Sequence, residues 1–171
     1  MALKQDLKSA FEDNLDNGGE IADIAKLITD VYKDAVNAGT DSIGNRISGV
    51  NYQVIEKAIV AQFNLSFRTK SYLQFSLIET ALVTAWTSAR LKLPATPAPG
   101  MSVVASNQVV SSTPPGTTPL TSDTNSYDPI VNKFFSMFSK HAKSVTNNYI
   151  GTSTSTPPAP ITVPVSGFTI K

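Results

Sequence analysis

The chain of 171 residues carries 14 lysine and arginine against 13 aspartate and glutamate side chains, a formal charge of +1. Bulk electrostatics therefore single out no polyanion such as nucleic acid as a partner. Cysteine is absent, which removes disulfides, thiolate zinc sites and cysteine nucleophiles together.

The opening "MALKQDLKSAFEDNLDN" alternates apolar and charged residues, lacks the uninterrupted apolar core of a secretory signal, and reads as a cytosolic start. Leu3, Leu7, Phe11 and Leu15 recur at i+4 and mark a first helix, which Gly18-Gly19 ends. Ile21, Ile24, Leu27, Ile28, Val31 and Tyr32 mark a second, fading at "NAGTD". In "DSIGNRISG" helical spacing at Ile43 and Ile47 competes with Gly44 and Gly49, each worth about 1 kcal/mol against a helix; a short helix or a loop is expected.

From Asn51 as N-cap, Val54, Ile55, Ala58, Ile59 and Phe63 draw a third stripe. Tyr72, Phe75, Ile78, Leu82, Ala85, Trp86 and Ala89 draw a fourth, closed by Pro94. Its most apolar part, "SLIETALVTAWTSARL", contains Glu79 and stops at Arg90, short of the roughly 20 residues of a bilayer span. Short connections imply antiparallel neighbours, so residues 1–93 are expected to form a small helical bundle. Its expected core holds Phe11, Ile28, Ile59, Phe63, Ile78, Leu82 and Trp86.

Charge divides this part. Residues 1–41 hold nine acidic and four basic side chains, and residues 42–92 hold six basic and two acidic. Either the two halves face one another, or the acidic half is a face for a basic neighbour.

Residues 94–126 are a Pro/Ser/Thr-rich linker with one charge, Asp123. Two valine pairs in "MSVVASNQVVSS" point to an extended segment laid on a surface. Residues 127–150 read as one further amphipathic helix. Asp128 is at its N-cap and Pro129 at its first turn, followed by Ile130, Phe134, Phe138, Ala142, Val145 and Tyr149. Residues 151–171 close the chain as an extended arm in which Ile161, Val163 and Val165 alternate with Thr162, Pro164 and Ser166. Pro160 and Pro164 cannot donate to a ladder, so the arm is expected to add to an edge, or lie in a groove, of another subunit. The second helix-plus-extended unit repeats the pattern of the first, though not its residues.

No catalytic, cofactor or metal residues emerge. His141, the single histidine, lies between Lys140 and Lys143 and reads as a surface or groove-edge side chain. "GNRISGVN" has the glycine spacing of a phosphate loop, but Val50-Asn51 stand where lysine and a hydroxyl residue are required. Glu12, Asp13 and Asp16 read as solvated helix surface rather than an acid/base pair, and Asn64-Leu65-Ser66 as a chance glycosylation sequon. The residues expected to contact a partner are Phe134, Phe135 and Phe138, on a helix where four large apolar groups in five positions overfill one stripe, with Ile161, Val163, Val165 and Phe168 of the arm.

The fold expected is mainly α: a bundle, an extended linker, one more helix and an arm. In "FSLIETALVTAWTSARLKLPATPAPG", "SSTPPGTTPL" and "STPPAPITVPVSGFTIK" the chain resembles the small virion structural proteins of tailed bacteriophages. The resemblance implies a non-enzymatic virion component, assembled in the host cytoplasm, that contacts other virion proteins and copies of itself through extended segments. It implies no cofactor, no specific nucleic acid and no membrane span. A small enzyme with a scattered site, or a surface adhesion protein with Ser/Thr/Pro stalks, are the other classes the sequence admits.

Overall fold

The computed structural model describes residues 2–92, 101–122 and 126–171; the linker stretches 94–100 and 123–125, with Pro94 and Asp123, lie outside them. Helix α1 (Ala2–Asp16) buries Leu3, Leu7 and Phe11, as their i+4 spacing requires. Gly18, at φ +67°, turns the chain out of the helix, and the Gly19 N–H returns 2.8 Å to the Asn14 carbonyl. Helix α2 (Ile21–Asn37) opens on a capping box between Glu20 and Asp23.

Residues 40–48 form neither a helix nor a plain loop. Strands β1 (Thr40–Asp41) and β2 (Arg46–Ser48) flank a turn that the Asp41 carboxylate organises, its Oδ1 accepting the N–H groups of Ile43 at 3.0 Å and Asn45 at 2.8 Å. Helix α3 (Tyr52–Thr69) and α4 (Ser76–Trp86) follow. The fourth stripe runs beyond α4 at both ends, because Tyr72 lies in the α3–α4 loop and Ala89 packs after the helix has finished. Strand β3 (Arg90–Lys92) pairs antiparallel with β2.

Strand β4 (Met101–Ser111), helix α5 (Asp128–Ser144) and strands β5 (Thr146–Ser153), β6 (Pro160–Ser166) and β7 (Phe168–Thr169) complete the chain. The order β4-β5-β6 makes one antiparallel sheet, and β7 pairs with β1. Helix α5 stops six residues earlier than its stripe predicts. Val145 and Tyr149 satisfy the helical i+4 interval, but Val145, Asn147 and Tyr149 also alternate, and "TNNYIGTS" takes the extended form with 147, 149 and 151 inward. The valine-rich segment is likewise a ladder strand, β4, rather than an extended piece on a surface.

The C-terminal arm is corrected most. Residues 160–166 pair with β5 of the same chain, and β7 then carries Phe168 into the interior, 5.4 Å edge-on from Trp86. The proline argument holds in altered form: Pro160 and Pro164 sit on the edge strand of the sheet, where the missing N–H costs nothing.

The aromatic side chains of α5 form the centre of the molecule. Phe134 lies 6.0 Å from Phe11, 5.5 Å from Phe75 and 6.4 Å from Phe63, while Phe138 stacks on Tyr32 at 4.2 Å. Trp86 donates its indole N–H to the Tyr32 hydroxyl at 2.9 Å. Of the expected core, Phe11, Ile28, Ile59, Ile78, Leu82 and Trp86 are fully buried and Phe63 is partly buried. His141 is not at the surface: it is fully buried, because α5 turns that face onto Trp86. The chain is thus mainly α with antiparallel strands. Among the described residues no helix is long and apolar enough to cross a membrane.

Candidate partner-docking groove

Helix α3 buries Ile55 and Ile59, and the same i+4 row continues through Phe63 to Phe67. Here the helix overruns the core. Phe63 stays partly buried against Phe134, whereas Phe67, one turn on, is 82% exposed. The helix closes in a left-handed residue, Lys70 (φ 50°, ψ 39°), with the Ser71 N–H on the Ser66 carbonyl and the Lys70 N–H on that of Phe67. Glycine is the residue that adopts this conformation freely; here lysine occupies it and brings a cation to the end of the helix.

Phe67 and Lys70 form one lip of an apolar groove of about 1020 Å³. The opposite lip is the α1–α2 corner, with Leu15 43% exposed and Ile21 beside it. Phe11 and Phe63 line its depth, and Tyr127 stacks on Phe11 at 6.2 Å. Tyr72, 47% exposed, Leu73 and Leu120 close one end. The Leu120 N–H is fixed 3.0 Å from the Leu73 carbonyl, so the irregular segment 112–121 forms part of the wall.

The charged residues next to the two lips have opposite sign. Asp16 and Glu20 adjoin Leu15 and Ile21, and Arg68 and Lys70 adjoin Phe67; all four are exposed. Among the described residues none of them is in an ion pair, the bridges formed being Lys8 with Glu12 and Asp128, and Lys26 with Asp30. The Lys8 ammonium beside Asp128 holds that carboxyl below its usual range and is itself raised by the same hydrogen bond. This pair ties the start of α5 to α1.

The partner residues expected from the sequence lie elsewhere. Phe134, Phe138, Val165 and Phe168 are buried in the chain's own core, and Phe135, Ile161 and Val163 pack against it half-buried. A helix and a strand of this amphipathicity cover their own domain first, because the intramolecular surface is always available. The sequence reading missed Phe67, Leu15 and Tyr72 as rim residues. For Phe67 the signal was a stripe carried one turn further than the helices around it could cover.

Two buried polar clusters lie away from the groove. The Tyr149 hydroxyl donates to Asp41 Oδ2 at 3.0 Å and accepts from the Asn45 amide; burial, more than the nearby carboxylate, raises its pKa, so it stays protonated. The second is His141, whose Nε2 meets the Ser112 hydroxyl and whose pKa burial pushes down to about 4. Among the described residues no group of three or more His, Cys, Asp or Glu could hold a metal ion. Comparison with protein-family models, with curated proteins and with solved structures finds no match.

Proposed function

We propose that the chain is a non-enzymatic structural component of a bacteriophage virion, in the capsid decoration, neck, tail or baseplate, that joins neighbouring subunits. Phe67 is the observation that carries the reading. It is 82% exposed on the last turn of a core-facing helix, at the lip of an apolar groove, and stays hydrated unless a neighbour covers it. The tail contributes in a reduced form. Its strand is used at home, and the exposed, uncharged turn "TSTPPAP" between β5 and β6 is the part left to run over an adjoining subunit. The partners are other virion proteins and copies of the chain, met in the host cytoplasm during assembly, with no specific nucleic acid and no cofactor.

Sedimentation of phage particles made with tagged wild-type or Phe67→Asp chain tests this. The wild type should travel with the particle, and the variant should remain in the soluble fraction while melting at the wild-type temperature. The reading fails if the wild type never sediments with particles, or if the variant enters them equally well.

A further inference from the structure

The surface around the groove is complementary to itself. One lip offers a projecting side chain, Phe67, with the cations Arg68 and Lys70; the other offers a recess beside Leu15 with the anions Asp16 and Glu20. A two-fold axis sets each patch against the same patch of a second molecule, so that lip meets opposite lip twice. Phe67 of each copy then enters the other's groove, and the basic lip of each lies over the acidic lip of the other. We infer that this groove is a two-fold interface between two copies of the chain.

Charge complementarity decides for a second copy over a foreign partner. A partner of one sign would be attracted by one lip and repelled by the other, and a neutral one would leave all four charges facing no opposite charge. A second copy satisfies both lips at once. Lys70 points the same way, since a residue in left-handed conformation at a helix end is ordinarily glycine, and lysine tolerates the strain while supplying the cation. The apolar centre with a charged rim is the usual anatomy of a contact between subunits. This inference rests on reading the groove as a docking surface, but not on the virion assignment.

The test uses the full purified chain in sedimentation equilibrium and light scattering across a concentration series. The wild type should dimerise. Phe67→Asp should raise the dimer dissociation constant at least about thirtyfold, as for a central aromatic anchor. A chain with Arg68→Glu and Lys70→Glu, and another with Asp16→Lys and Glu20→Lys, should each be monomeric, whereas an equimolar mixture of the two should form a heterodimer. Circular dichroism and melting checks that each chain is folded, and Lys70→Gly, which suits the left-handed position, weakens the dimer without disturbing the helix end. A wild type that stays monomeric up to about millimolar concentration overturns the inference, since any dimer left is then weaker than about 4 kcal/mol. So does a dimer indifferent to Phe67→Asp, or a mixture of the two charge-reversed chains that fails to pair. A chain that enters the particle but never dimerises defeats this inference alone; one that dimerises but never enters the particle defeats the virion reading alone.

Discussion

His141 Nε2 lies 2.9 Å from the Ser112 hydroxyl, fixing the last turns of α5 to the residue that follows β4. The imidazole is buried, stands edge-on to Trp86 at 5.5 Å, and has no partner at Nδ1. Burial alone depresses its pKa, from the ordinary 6.5 to about 4. Between those values the unfolded chain binds a proton that the folded chain refuses, so stability falls as pH drops from about 6.5 to about 4 and levels off below. The loss amounts to about 3 kcal/mol at the lower limit. Urea melts at a series of pH values should show this slope in the wild type and a flatter one in His141→Gln. An identical slope in both would assign the acid sensitivity to carboxylates.

Phe168 makes the second prediction, because it separates a folded terminus from a free one. It is buried against Trp86, and β7 holds it there by pairing Thr169 with Thr40. The approach is close: a Cβ on Gly39 would stand 2.5 Å from the Thr169 carbonyl and 2.6 Å from the Phe168 ring. Phe168→Ala should cost about 3–5 kcal/mol in chemical denaturation. Gly39→Ala should destabilise as well, by forcing β7 off β1. If both variants melt like the wild type, the terminus is an arm in solution.

The four core-facing stripes were legible in the sequence because each repeats over at least three turns, and the resulting helices bury the residues they named, from Phe11 to Trp86. What the sequence did not disclose is which surface each later segment covers. Phe134 and Ile161 carry the same apolar signature whether they face the chain's own core or another molecule, and only the three-dimensional closure of the sheet decides it. Val145 and Tyr149 fit two periods at once, so the end of α5 was ambiguous. The groove was hidden for the opposite reason: Phe67 belongs to a buried-looking stripe and is exposed only because α3 outlasts its neighbours.

A third prediction concerns Tyr149 and Asp41. The phenol is the donor to Asp41 Oδ2, whose other oxygen already takes two backbone N–H groups of the 41–45 turn. Tyr149→Phe therefore leaves one oxygen of a buried carboxylate and the Asn45 amide without their partner, at a cost of about 2–3 kcal/mol. Asp41→Asn, combined with Tyr149→Phe in a double-mutant cycle, should show a coupling well above the error of additivity. Strict additivity would mean that the two residues act independently.

The last prediction concerns the segment that forms the end wall of the groove. Residues 112–121 have no regular secondary structure and are held by separate ties: Ser144 to Thr113, His141 to Ser112, Lys133 to the Thr118 hydroxyl, and the Leu120 N–H to Leu73. In the middle, Glu79 of α4 accepts the Thr117 N–H. Glu79 is buried, so removing its carboxylate leaves that amide without its partner, worth about 1–3 kcal/mol. The loss should fall on the segment rather than on the core, because α4 keeps its apolar contacts through Ile78, Leu82 and Trp86. In Glu79→Ala, hydrogen exchange at Thr117 and Leu120 should accelerate about tenfold or more while the amides of α2 and α3 keep their protection, and Glu79→Gln, which retains an acceptor oxygen, should fall between. Equal acceleration throughout the chain would mean that Glu79 supports the core itself. No change at Thr117 would mean that the outer ties suffice to hold the wall.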